Sequence, residues 1–224
     1  AESLLESAKS LGVDLIVPVT DEIILCLSAA AEHQSLPCAI AMAARRSLET
    51  AWDKHETAEL AERLAVPCPE GDLADNGEQA LATAERIGWP VVVKPVRSRV
   101  LRNERIHAFK TSIVQSPEQL QAAMDLLQGR CAALSQQVVP GDGVGVEVLA
   151  VGGQVVAAFQ HRRLREVPVT GGVSSLRVSE SVDPQLLQFT KELMASLDWD
   201  GLAMVEFKCG ESGNFLMEIN GRIW

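Results

Sequence analysis

The sequence contains no apolar run approaching the roughly 20 residues of a membrane span, and its first residues carry no signal-peptide pattern. No CxxC pair occurs. The five cysteines, at 26, 38, 68, 131 and 209, are odd in number and widely spaced, which argues against a zinc site or a disulfide framework and for a reducing cytoplasm. Internal repeats and low-complexity segments are also lacking. A net charge of −10 argues against non-specific nucleic-acid binding. The expectation is therefore a cytoplasmic protein with neither a membrane nor a nucleic acid as partner.

What is present is an ordinary globular composition, 47% hydrophobic and 22% charged over 224 residues, enough for one large or two small domains. The positive charge is clustered. Lys94, Arg97, Arg99, Arg102, Arg105 and Lys110 fall in one segment, and His161, Arg162, Arg163 and Arg165 in another. Basic patches in an acidic chain suit a small anionic ligand, although for any single arginine a solvated basic face is the commoner reading.

Along the chain, helix signals cover Ser3 to Leu11 and Glu22 to His33, around a strand from Val13 to Val19 expected to be buried on both faces, with a short strand from Pro37 to Ile40. The alternation implies a parallel sheet. The chain opens on a helix with no strand before it, so a piece preceding Ala1 is expected. Ser47 to Ala65 reads as helix, divided near Trp52-Asp53. A helix from Glu78 to Ile87 precedes Val91-Val92-Val93-Lys94-Pro95, a buried strand with a charge at its end. Arg97 to Arg105 reads as a basic loop, Ile106 to Val114 as a strand, Ser116 as the cap of a helix to Leu127, and Ala132 to Val139 as a strand. Beyond Pro140-Gly141-Asp142-Gly143 come strands at Val144 to Val151 and Gln154 to Leu164, a loop from Glu166 to Gly172, a strand from Ser174 to Val178 and a helix from Pro184 to Leu197.

The last stretch, Val205 to Trp224, reads as a β-hairpin around Gly210 to Asn214. If Cys209 pairs with Phe215, then Glu206 faces Glu218, Phe207 faces Met217 and Val205 faces Ile219. The two glutamate Cβ atoms would lie roughly 5 Å apart, an arrangement that destabilises a sheet unless a shared proton or a divalent cation offsets the repulsion. Asn220 adds a neutral oxygen on that face, and an all-oxygen set suits Mg²⁺ or Mn²⁺ better than zinc. Two solvated glutamates on a surface hairpin are the plain alternative.

Taken in order, Asp53-Lys54, Trp89-Pro90-Val91-Val92-Val93-Lys94-Pro95, Gln136-Gln137-Val138-Val139-Pro140-Gly141, Val205-Glu206-Phe207 and Met217-Glu218-Ile219-Asn220-Gly221-Arg222 resemble the ATP-grasp superfamily. The resemblance covers roughly Ser47 to Trp224. It implies an α+β ATP-grasp fold in which two α+β lobes sandwich a nucleotide: a small lobe over about 68–138 and a large antiparallel lobe over about 139–224, cut short at its C-terminus. Residues 1–46 would be a partial α/β, Rossmann-like pre-grasp domain. By the same resemblance Lys54 and Lys94 would contact ATP phosphates, while Gln136, Gln137, Val138 and Val139 would carry adenine. Asp142 is the nearest candidate for the ribose-binding acid. Glu206, Glu218 and Asn220 would hold one or two Mg²⁺ (or Mn²⁺). Arg222, with Arg163 or Arg165, would face the transferred phosphate or an acyl phosphate.

The implied activity is an ATP-dependent ligase, most readily one forming a carbon–nitrogen bond. It would pass a small-molecule carboxylate through an acyl phosphate to an amine or similar nucleophile, and a homo-oligomer is compatible with it. Carboxylation or carbamoyl-phosphate chemistry is a second reading and a non-catalytic nucleotide-binding module a third. Two departures from the family pattern stand out. Val96 to His107, where relatives carry glycines over the phosphates, has none and offers four arginines instead, and the first hinge position, often acidic, is Gln136. His161 and Gly171-Gly172 are weaker candidates for substrate contact. Trp52, Trp89, Trp199 and Trp224 read as packing residues, and Cys131 and Cys209 as inert thiols within strands.

Overall fold

The computed structural model describes residues 1–102, 105–127, 129–167 and 172–223. Gly171 and Trp224 therefore lie outside the described residues. Three regions follow one another. The first opens with α1 (Glu2–Leu11), which stops where Gly12 takes a left-handed φ of 63°. β1 (Leu15–Ile16) and β2 (Ala39–Ile40) then pair in parallel around α2 (Asp21–Ala31). Thr20 caps α2, its hydroxyl accepting from the Ile23 N–H at 3.3 Å. The strand expected to be buried on both faces is only two residues long. Among the described residues β2 is its one partner, and Leu15, Val17 and Val19 stay exposed at 52%, 42% and 54%.

α3 (Arg45–Trp52) and α4 (Lys54–Arg63) are parted at Asp53, whose carboxylate accepts from the N–H groups of His55 and Glu56, both at 3.1 Å. The local sequence thus ends one helix and caps the next in a single residue, which sets Lys54 at the first position of α4.

The small lobe is an antiparallel sheet of β3 (Gly71–Ala74), β4 (Val91–Pro95), β7 (Ser112–Val114) and β8 (Ala133–Gln137), in the order β3-β8-β4-β7. It is covered by α5 (Gly77–Ile87) and α6 (Pro117–Leu127), and Ala80, Ala84, Val91, Val93, Leu120 and Ala133 are among its core residues. Between β4 and β7 stands a separate two-stranded hairpin, β5 (Arg99–Arg102) and β6 (Arg105–Ala108). This corrects two expectations: the basic loop is largely hairpin, and the strand expected over Ile106 to Val114 is divided between β6 and β7. Cys131 precedes β8 rather than lying in a strand.

The large lobe is an antiparallel sheet in the order β11-β10-β9-β12-β13. Its strands are β9 (Asp142–Val151), β10 (Gln154–Val167), β11 (Val173–Glu180), β12 (Gly201–Gly210) and β13 (Gly213–Asn220), with α7 (Pro184–Ser196) packed on one face. The core of that face includes Val144, Val146, Leu193, Trp199 and Phe207, and it continues into Ile24 of α2, Leu48 of α3 and Leu60 of α4. Helices α2, α3 and α4 are thus cemented to the large lobe, while the small lobe keeps a core of its own.

Candidate functional site

The β12–β13 hairpin sets the site. Val205 faces Ile219 and Glu206 faces Glu218, the two pairs expected from the assumed hairpin register. Beyond that pair the register slips by one. Phe207 faces Leu216 and Cys209 faces Asn214, so the expected pairings of Phe207 with Met217 and of Cys209 with Phe215 are not formed. Met217 is the extra residue of a β-bulge, Leu216 turns into the core at 2% exposure, and the turn between the strands shortens to Glu211-Ser212. The bulge has a use: the Met217 carbonyl, withdrawn from the ladder, accepts from Lys94 Nζ at 2.7 Å.

Side chains offset the repulsion between the two carboxylates. The Arg163 guanidinium forks onto both oxygens of Glu206, one bond at 2.8 Å, and also reaches Glu166 at 3.2 Å. Lys54 Nζ lies 3.7 Å from Glu218 and donates to Ser98 Oγ at 2.7 Å. Asn220 Nδ2 donates to Glu218 Oε1 at 3.2 Å, and Arg222 donates to Asn220 Oδ1 at 3.3 Å.

The pair is electrically unequal. Burial, with Glu218 adding to it and Arg163 opposing, pushes Glu206 up to about 7. Burial works against ionisation of Glu218 too, but Lys54 and Lys94 outweigh it and hold that carboxyl down to about 2. Burial also lowers Lys94, against the pull of Glu218.

These groups line a cleft of about 740 Å³ between the lobes, within the usual size for a small-ligand site. Lys54, Lys94, Gln136, Gln137, Val138, Val139, Arg163, Glu206, Glu218, Asn220 and Arg222 all border it. Asp142 and Arg165 do not: Asp142 is exposed and paired with Arg162 at 3.1 Å, and the Arg165 side chain is exposed. The cleft is also bordered by Arg99 and Lys110 of the basic segment, and by Asp21, Ser98, Glu166 and Lys208, to which the sequence reading assigned no role. Of these last four, Lys208 had a signal, two residues beyond Glu206 and so on its face.

Among the described residues no three His, Cys, Asp or Glu side chains gather as a metal-binding group. The candidate set is two carboxylates and an amide. It fits a hard divalent cation, because every donor is oxygen and each carboxylate oxygen keeps a lone pair beyond its present bond.

A family model of the ATP-grasp domain matches residues 43–170. The chain belongs to the ATP-grasp family. This ATP-grasp chain is 32% identical over 183 residues to the carbamoyl phosphate synthase large chain of Acidobacterium capsulatum, a match covering 79% of the chain and 16% of that protein. The large chain of Archaeoglobus fulgidus is 26% identical over 185 residues, again 79% of this chain and 16% of the relative. The chain thus spans about a sixth of the curated relatives it matches. Among solved structures, biotin carboxylase from Campylobacter jejuni in complex with βγ-ATP aligns with a TM-score of 0.77 at 14% identity, covering 100% of this chain and 52% of that one. D-alanine–D-alanine ligase from Bacillus anthracis complexed with ATP aligns at 0.64 with 12% identity, covering 88% and 61%. These structural likenesses establish the fold: an ATP-grasp domain of two α+β lobes with the cleft between them. No helix among the described residues is long and apolar enough to cross a membrane.

Proposed function

We propose that this ATP-grasp domain binds Mg²⁺-ATP and activates a carboxylate as an acyl phosphate for attack by an amine or similar nucleophile. The observation that carries the reading is the in-register Glu206–Glu218 pair on the cleft wall, met by Lys54 from α4 and Lys94 from β4. Opposed carboxylates are a poor structural choice in a sheet and a good one for a site that must hold cationic charge.

In this reading Lys54 and Lys94 bind the phosphates, and residues 136–139, where β8 leaves the small lobe, hold the adenine edge. Glu206, Glu218 and Asn220 would hold the metal, which supplies neutralisation of phosphate charge. Arg222 faces the phosphoryl group in transfer. Arg163 keeps Glu206 oriented. The acceptor carboxylate forms its O–P bond as the bond to the ADP oxygen breaks. The amine then attacks the acyl carbon, and orthophosphate leaves with the C–O bond electrons. Charge neutralisation and in-line positioning are what such a transfer needs from a protein. Asp142 and Arg165 have no part in this arrangement.

A carbamoyl-phosphate type of reaction, with bicarbonate as the carboxylate and ammonia as the nucleophile, is favoured as a second reading by the 32% identical relative. We assign the protein to the cytoplasm, with small-molecule partners.

The test is ADP release with Mg²⁺-ATP, measured against a panel of small carboxylates and amino acids beside bicarbonate with ammonia, in wild type and Glu218→Gln. The variant should keep its fold and lose turnover by two orders of magnitude or more, an effect of the size seen when one electrostatic group is removed from a transfer site (about 10²–10³). Unchanged turnover in the variant removes Glu218 from the metal site. Nucleotide binding with no acceptor stimulating release would leave a binding module.

A further inference from the structure

Arg222 does not stand alone at the edge of the cleft. Its guanidinium forks onto Asp21: Nε donates to Oδ1 at 2.8 Å and Nη2 to Oδ2 at 3.2 Å, across 201 residues of sequence. Asp21 is the first residue of α2 and itself borders the cleft. Its position is fixed from two sides. Thr20 caps the helix immediately before it, and three residues on, Ile24 is fully buried in the core shared with Leu48 and Trp199. From Arg222 the contacts continue through Asn220 to Glu218. One chain of hydrogen bonds thus runs from the first turn of α2 to the metal-ligand candidates.

The chemistry gives that chain a purpose. A free arginine beside two carboxylates has strong alternatives, since its five donors match a carboxylate fork and its stem turns easily. Without an acid of its own, Arg222 would be drawn onto Glu218, where it would compete for the oxygens a cation needs. Asp21 supplies that acid at a fixed point and leaves Nη1, which donates to the Ile223 carbonyl at 3.3 Å, as the most weakly held donor. The adjacent Glu22 binds Arg99 of the β5–β6 hairpin at 2.7 Å, so two consecutive acids of α2 hold arginines from two different elements bordering the same cleft.

We infer that Asp21 is a positioning residue for Arg222, holding its guanidinium toward the transferring phosphoryl group and off the carboxylates, so that the segment before the grasp lobes is a working part of the site. This rests on the nucleotide reading above, and the experiment separates the two.

Binding of Mg²⁺-ADP, with and without orthovanadate as a stand-in for the transferring phosphoryl group, is measured by calorimetry on the full chain. The proteins are wild type, D21N, D21E, R222A and D21N/R222A. All should bind Mg²⁺-ADP within about twofold of one another. The extra affinity that vanadate gives wild type should fall about tenfold in D21N and in R222A alike, the scale of one charge-assisted contact. It should fall no further in the double variant and return in part in D21E. A merely structural role for Asp21 would weaken ADP along with vanadate. D21N indistinguishable from wild type, or losses that multiply in the double variant, would overturn the inference while leaving the nucleotide reading intact. So would absence of vanadate tightening in wild type that binds Mg²⁺-ADP. Failure of wild type to bind Mg²⁺-ADP removes the nucleotide reading, and this inference with it. Should D21N prove unstable, D21E and R222A carry the same comparison.

Discussion

Gly145 of β9 sits between His161 of β10 and Glu206 of β12 in the large sheet. A Cβ at this position would overlap the His161 ring, which is buried at 1% exposure and lies 3.2 Å from Glu147 through Nδ1. The missing side chain is therefore what lets the imidazole lie across the strand. Gly145→Ala should force the ring out and cost about 1–3 kcal/mol, the usual penalty for overpacking, read as a lower urea midpoint at unchanged slope. A midpoint equal to wild type would show that the ring moves aside freely. The same row shows what a sequence discloses about single residues. Lys94 was legible because a charge ending a buried strand demands a partner, and Glu206 and Glu218 because an assumed hairpin register set them opposite, although that register fails nearer the turn, where Phe207 faces Leu216. The carbonyl that Lys94 finds was not legible, since it depends on the bulge at Met217, and one inserted residue leaves no mark in an apolar strand. Arg163 and Arg165 stood equal in sequence, being on the same face by alternation. Burial and the Glu206 fork single out the first.

Among elements, the β5–β6 hairpin departs furthest from its expected form. Its first strand carries no alternation of apolar and polar residues, and Asn103-Glu104 is not a turn pair that announces a hairpin. Ion pairs help to tie it to the rest of the molecule: Arg99 with Glu22 at 2.7 Å, and just before it Arg97 with Asp53 at 3.3 Å. Such pairs cannot be foreseen from local pattern, because the partners lie 77 and 44 residues away. The Arg99 hydrogen bond, more than any other contact, holds the Glu22 carboxyl below its ordinary 4.5. A lowered folded-state value means that the contribution is complete above the ordinary carboxylate range and is lost as pH falls through the lowered value. Amide exchange in β5 and β6, corrected for its intrinsic pH dependence, should therefore accelerate as pH drops below 4.5. Glu22→Gln should exchange fast at neutral pH and show little further acceleration. Exchange in the variant that matches wild type at pH 7 would mean that Arg97 and the neighbouring backbone hold the hairpin without Glu22.

At the scale of the whole molecule two cores face each other over one cleft. The larger joins α2, α3 and α4 to the five-stranded sheet, and the smaller belongs to β3, β4, β7 and β8 with their two helices. The order of the motifs along the chain made the two lobes and the crossing at Gln136 legible. The participation of α2 was not, because Asp21 reads locally as part of a helix start and meets Arg222 only through tertiary packing. Polar contacts that bridge the cleft include Lys94 with the Met217 carbonyl and Lys54 with Ser98. A ligand that binds both lobes should therefore do more than occupy the cleft: it should couple the two cores. Mg²⁺-ATP at 100 times its dissociation constant stabilises a folded protein by about 2.7 kcal/mol, and here that gain should reach the small lobe as well as the large. In amide exchange, strands β4 and β8 should gain protection together with β12 and β13. Lys94→Met keeps most of the length of the side chain and removes its charge, so it should lose most of the ligand-induced protection in β4 and β8 while leaving their exchange without nucleotide little changed. Protection that stays confined to β12 and β13 in wild type would mean that the nucleotide is held by the large lobe alone, and that Lys94 serves the bulge rather than the phosphates.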